Sequence, residues 1–272
     1  MLIVILVGFV FYIPLGDIFR AVLSVNIVLF VVSFLLNFPS TFLTTWSTHM
    51  LAFRQGIRVG LWDFFLFNLA IRFYSYFSPA SMVSTAMRWH KLSAGSKSAE
   101  ALSAISFSRL FSIVVAIGLG LFWVMARENQ ATINLVLFLV LAMLMVAGWI
   151  LITRLSPALS RELDRRAEIT HQPFLRRLIR FLARYFHAID HYATMPLKLL
   201  LGVALMHLGN DLLGLVSHIL LAQALGIPLS IYDLGWLRAI AFLSALVPFT
   251  LAGGIGLREV SLVIILSSMD VG

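Results

Sequence analysis

Cysteine is absent from the 272 residues, which excludes disulfides, thiolate metal sites and cysteine nucleophiles. Charge is scarce: Asp, Glu, Lys and Arg make up 12% of the chain, against about 25% in a soluble domain. No phosphate-binding Gly-rich loop ending in Lys-Ser/Thr is present, so no site for ATP is read. No nucleophile–base constellation stands in the polar loops, no cofactor-binding motif appears, and no nucleic-acid-binding motif is found. The expectation is therefore a protein that is not an enzyme.

What fills the chain instead is apolar. It is 61% hydrophobic with a mean hydropathy of +0.98. One soluble core of this size cannot hide so much apolar surface. The fold class read from this is all-α: a polytopic transmembrane helical bundle, a single integral membrane domain over residues 1–272. About six to eight membrane segments fit, at roughly 20 apolar residues per span. The net charge of +8 is clustered, with eight of the twenty basic residues, all arginine, between 153 and 196. That clustering reads as topology and contact with anionic lipid, not nucleic-acid binding.

Residues 1–13 are apolar and lack a basic flank, and are expected to be a first span that starts abruptly. Residues 20–45 are expected as a second span, with Pro39 near its end. Residues 61–84 are aromatic, carry Asp63, Asn68 and Arg72, and break at Pro79. Residues 100–126, which include Arg109, and 131–152 read as spans. Residues 197–225 follow the Arg-rich segment and end at Gly226 and Pro228; residues 237–269 are the last apolar region.

The Arg-rich segment 153–196 is expected in the cytoplasm of a cell-membrane protein, since basic loops stay inside. A single crossing by residues 61–84 would put Arg54 and Arg58 outside. A re-entrant hairpin there keeps both flanking basic loops inside, and is the favoured reading. The Pro248 region then becomes a second broken element from the opposite face, as in transporters built from inverted repeats.

Within 173–192, Phe174, Leu178, Phe181, Leu182, Tyr185 and Ile189 share one helical face, and Arg176, Arg180 and Arg184 another. This is an amphipathic helix suited to an anionic membrane surface; the alternative is a solvated cytoplasmic helix. His207, Asp211 and His218 recur at helical offsets of four and seven and are expected to face the bundle interior. They are too spread for one metal ion. Arg72 and Arg109 are costly at membrane depth and each needs a partner: Asp63, Asp211, Glu259, a helix C-terminus or a bound phosphate. Arginine's planar fork suits phosphate.

In "LVPFTLAGGIGLREV" (246–260), Pro248 removes a helix donor, and Gly253, Gly254 and Gly256 permit backbone conformations other residues avoid. A helix restarting near Leu257 would point free N–H groups into the break, an anion site with Arg258 beside it and Glu259 as its counter-charge. A glycine-lined helix crossing is the alternative.

The run from Pro248 to Glu259, "PFTLAGGIGLRE", resembles the Pro…Gly-Gly-Gly-x-Arg-Glu signature of the flippase-like, lysylphosphatidylglycerol-synthase transmembrane family. "FYSYFSPASMVSTAMRWHKLSAGSKSAEALSAISFSRL" is similar to the same family's Pro-loop, Arg and small-residue helix, with Pro79, Arg88 and Arg109 at the matching positions. Together the two stretches extend the resemblance over roughly residues 15–272. The sequence departs in "SPASMVSTAMR", which lacks the family's glycines and acid before the Arg, and in "TWSTHML", which lacks an Arg-Trp pair. These residues include no aminoacyltransferase region, so the resemblance implies lipid handling and not lysyl transfer. It implies flippase-like translocation or binding of an anionic or modified headgroup. The alternatives are an accessory protein presenting lipid to a separate transferase, and a small-solute secondary transporter. The substrate-binding set expected is Arg258, Glu259, Gly253, Gly254, Gly256, Pro248, Arg72, Arg88, Arg109 and Asp211. Asp211 and Glu259 are the candidates for proton coupling. Membrane lipids are the expected partners; no metal or other cofactor is expected.

Overall fold

The computed structural model describes residues 23–75, 80–93, 97–127, 140, 143 and 154–244. Among them every regular element is a helix, as composition required. Three helices are long and apolar enough to cross a membrane: Ile27–Arg54, Ser98–Trp123 and Leu197–Ala224. The expected spans at 1–13 and, apart from residues 140 and 143, 131–152, and the Pro248–Glu259 break, lie outside the described residues.

The first span is two helices in near-continuous register, α1 (Ile27–Leu35) and α2 (Asn37–Arg54). Asn26 caps α1, its Oδ1 accepting from Val28 and Leu29 N–H. Pro39 falls in the first turn of α2, where a missing N–H costs nothing. The span therefore runs to Arg54, beyond the end expected at residue 45. The polar run Thr44-Thr45-Trp46-Ser47-Thr48 does not end the helix, because its hydroxyls turn to the bundle interior. Thr41, Thr45 and Thr48 bond carbonyls one turn back at 2.7–2.9 Å, and face the bundle interior. Meanwhile Phe38, Trp46 and Phe53 point outward. A helix that buries Ser40, Thr41, Thr45, Ser47 and Thr48 and exposes its aromatics has a soluble protein's pattern reversed. Only an apolar solvent makes that arrangement favourable.

Residues 61–92 fold as α3 (Leu61–Ser75) and α4 (Ala80–Leu92), packed on one another. Arg88 donates to Asn68, and the Lys91 ammonium sits 5.4 Å from the Phe67 ring centre. Both pairs are nearly symmetric about residue 78, so the two helices are antiparallel arms of a hairpin. Each arm is shorter than a full span, at about 1.5 Å per residue.

The second span opens α5 (Ser98–Arg127). A helical stretch at 154–169 and α6 (Pro173–Ala193) follow, then α7 (Leu197–Ala224) and α8 (Ile231–Ser244). α7 packs along α1, α2 and α5; α6 and α8 both pack on α5. The α5–α8 contact is close because the residues are small: a Cβ on Gly120 would come within 2.6 Å of the Ala239 methyl. α2 and α7 each end on a left-handed glycine, Gly56 (φ 72°) and Gly226 (φ 69°), as Gly226 was read to do.

Arg54, Ser98 and Leu197, one end of each span, lie together on the face from which α6 approaches. Lys97 Nζ donates to the carbonyls of Gln55 and Gly56 at 3.1 Å, and Gln55 Nε2 donates to Ala188 O at 2.8 Å. Inside this face lies the apolar core: Leu51, Phe64, Leu92, Ala104, Phe107, Tyr192 and Val203. The Phe107 and Tyr192 rings stack at 4.1 Å.

Candidate functional site

Beyond that apolar plug the bundle interior turns polar. A cavity of about 390 Å3 opens among α2, α3, α4, α5, α7 and α8. Ile105 and Phe64 belong both to the plug and to the cavity wall, so the plug floors the cavity. Along α2 the lining runs from Asn37 to Thr48, about 17 Å of helix at 1.5 Å per residue.

At the floor, His207 is 2% exposed and sits in a nest of hydroxyls. Its Nε2 lies 3.2 Å from Ser47 and from Ser108, and its Nδ1 3.0 Å from Ser112. Ser108 also meets Thr48 at 2.9 Å. His207 is ten residues into α7 and Ser108 ten into α5. Both therefore stand about 15 Å from the face where the spans begin, half the roughly 30 Å hydrocarbon thickness. The cavity starts within the spanning part of the bundle, away from its ends.

Four arginines line this cavity: Arg72 from α3, Arg88 from α4, Arg109 from α5 and Arg238 from α8. Arg72 and Arg109 are close enough that Arg88 feels both as like charges. Arg88 is held by Asn68, which accepts from its Nε at 2.8 Å and donates to Thr45 at 3.2 Å. Arg72 donates to Asn37 Oδ1 at 3.2 Å. Among the described residues no ion pair joins Arg88 or Arg109, and none of the described lining residues is Asp or Glu. The cavity is strongly electropositive and otherwise lined by neutral donors and acceptors.

Of the carboxylates considered as partners for these arginines, Asp211 is already engaged. It is 8% exposed and accepts from Arg238 Nη2 at 3.0 Å. Asp63 sits in the first turn of α3, where it complements the helix dipole, and Glu259 lies outside the described residues. His207 and His218 line the cavity, and Asp211 is buried beside it, so the polar face of α7 does turn inward. His218 Nδ1 lies 2.7 Å from the Gly214 carbonyl. Asp211 and Arg238 also line a smaller apolar cleft with Trp123 and Gly235. The ion pair thus forms the partition between the cavity and the α5–α8 contact. Gly214 makes the partition possible: a Cβ there would occupy the place of the Arg238 guanidinium.

The structure thus brings Arg72, Arg88 and Arg109 to one cavity and places Asp211 at its edge. Pro248, Gly253, Gly254, Gly256, Arg258 and Glu259 lie outside the described residues, as does Pro79. Sequence reasoning did not single out Arg238, Gly214 or the hydroxyls of α2. A signal existed for the last: Ser40, Thr44 and Thr48 recur at every fourth residue, a polar stripe on an otherwise apolar helix.

Away from the cavity, α6 divides into two halves. Its C-terminal half packs Ala183, Ala188, Ile189 and Tyr192 inward. Its N-terminal half exposes Phe174 (78%), Leu175 and Leu178 beside Arg177 and Arg180.

A family model described as the lysylphosphatidylglycerol synthase TM region matches residues 1–272. No curated protein and no solved structure matches the chain.

Proposed function

The chain belongs to the lysylphosphatidylglycerol synthase TM region family, and from that membership we propose that it binds an anionic or modified phospholipid headgroup in its central cavity and moves it across the membrane. The observation that carries this reading is the convergence of Arg72, Arg88 and Arg109 on a cavity with no carboxylate among its described lining residues. Several arginines at membrane depth are expensive unless an anion offsets them. A phosphate fits that role, because guanidinium presents paired donors in the geometry of phosphate oxygens. The hydroxyl and amide lining supplies replaceable partners for the remaining headgroup oxygens. The volume falls within the range of about 300–1,000 Å3 typical of small-ligand sites.

The floor of Phe64 and Ile105 closes this conformation toward the face that carries residues 153–196. That face is proposed as cytoplasmic, on the arginine content of the segment. The exposed Phe174 and Leu178 and the neighbouring arginines are proposed to lie in the headgroup layer there. The Gly253–Glu259 break is proposed as a further anion contact, with Arg258 on the phosphate. Movement needs no ATP; it is passive or coupled to an ion, with Asp211 and Glu259 as the acids available.

The test is lipid movement in proteoliposomes with headgroup-labelled anionic and zwitterionic lipids. Wild type is compared with Arg88→Ala, Arg109→Ala and Arg258→Ala, each checked for folding by thermal melting. Loss of anionic-lipid movement in folded Arg88→Ala and Arg109→Ala is expected. Wild-type exchange no faster than in empty liposomes refutes translocation. Equal movement in wild type and both cavity variants refutes the cavity as the headgroup site.

A further inference from the structure

A second cavity, sharing no residue with the first, lies at the face where the three spans end. It measures about 260 Å3 and is lined by Arg54, Gln55, Glu100, Arg184, His187 and His191. Arg54 closes the first span, Glu100 lies in the first turn of the second, and Arg184, His187 and His191 lie in the C-terminal half of α6, which ends just before the third. The cavity therefore stands at the level of the phospholipid headgroups. Its frame is fixed: Gln55 ties the end of α2 to Ala188 of α6, and Lys97 ties the start of α5 to the end of α2.

The charges are divided between its walls. Arg184, His187 and His191 fall on one face of α6, and Arg54 faces them from α2. Glu100 comes from α5. Among the described residues Glu100 forms no ion pair with either arginine, and its Oε2 is buried without a hydrogen-bond partner. A buried carboxylate oxygen with no donor is rare in a folded protein, and it leaves the Glu100 charge for a cation in the cavity to offset. A plain anion would satisfy the arginines and leave Glu100 worse off. A plain cation would do the reverse.

We propose that this cavity docks a zwitterionic phospholipid headgroup, with Arg54 and Arg184 on the phosphodiester and Glu100 on a primary ammonium. A primary ammonium is required because a quaternary one has no N–H to give the carboxylate. The inference rests on the lipid-handling reading only for the class of ligand. It concerns binding at the membrane surface and requires no movement through the central cavity.

The experiment is binding to the full chain in detergent, followed by native mass spectrometry. The probes are short-chain phosphatidylethanolamine, phosphatidylcholine and phosphatidylglycerol, with free phosphoethanolamine as the soluble source of the same chemistry. The wild type should prefer the ethanolamine lipid to both others by about ten-fold, the scale of one charge-assisted hydrogen bond. Glu100→Gln should erase that preference while the protein still melts as wild type. Arg54→Ala with Arg184→Ala should weaken the ethanolamine and glycerol lipids alike. Gly202→Ala, which lines neither cavity, should change none of this. The proposal is overturned if the wild type shows no preference or if Glu100→Gln retains it. Free phosphoethanolamine binding as tightly as the lipid overturns the assignment to a lipid.

Discussion

Replacing Gly214 with alanine should destabilise this protein, against the usual sign for a helical glycine. In an open helix interior alanine is better than glycine by about 1 kcal/mol. At Gly214 the added Cβ would stand where the Arg238 guanidinium lies. The guanidinium must move, and with it the 3.0 Å bond to Asp211. The two side chains are only 22% and 10% exposed, so Asp211 would be left as a buried charge without its partner. Breaking such a pair costs about 3 kcal/mol or more, and the helix gain offsets about 1 of it. A net loss of about 2 kcal/mol corresponds to a fall in Tm of roughly 4–8 °C for a chain of this size. The assay is thermal melting of the detergent-purified protein, with Gly202→Ala as control. Gly202 lies on the same helix with nothing within 4 Å of its Cβ position, so that variant should melt at or above the wild-type temperature. Adding Asp211→Asn to Gly214→Ala should cost little more, because the carboxylate has already lost its partner. If Gly214→Ala melts with Gly202→Ala, or the two substitutions add in full, the ion pair does not hold the partition and the reasoning fails.

Three further outcomes are expected. Gly56→Ala places a side chain at φ 72°, a cost of about 1–2 kcal/mol, and should lower Tm by a few degrees in the same melting assay. Asn68→Leu removes both the acceptor of Arg88 and the donor to Thr45; anionic-lipid movement should fall by about ten-fold or more, and unchanged movement would show that Arg88 needs no positioning. The chain has no cysteine, so a single Phe174→Cys can be labelled with an environment-sensitive fluorophore. Its emission should shift to the blue in anionic vesicles and less so at high salt; a water-like spectrum in both would return α6 to an ordinary solvated helix.

Much of the fold was legible because membrane insertion is written in composition. Long apolar runs with few charges can only be spanning helices, and the end marked by Gly226 follows from backbone sterics at a single residue. The hairpin, expected over residues 61–84, was readable from the basic loops that flank it and from its polar, Pro-containing stretch, and its second arm runs on to Leu92. The end of α2 was not. Thr44 to Thr48 have the composition of a loop, and only the neighbouring faces of α5 and α7 make a buried stripe of hydroxyls favourable.

The site divides in the same way. Each of Arg72, Arg88 and Arg109 is conspicuous by itself, since an arginine in an apolar run is costly wherever it points. That they meet at one cavity is decided by how three successive helices fold back on one another. The choice of Arg238 as the partner of Asp211 is likewise tertiary: 27 residues separate them, and the bond exists because Gly214 leaves room for the guanidinium. Sequence by itself determined that this chain lives in a membrane and which charges would have to be reconciled with it. The packing of helices determined which charges are reconciled with each other, and which face a shared cavity, because only contact at a few ångströms can do either.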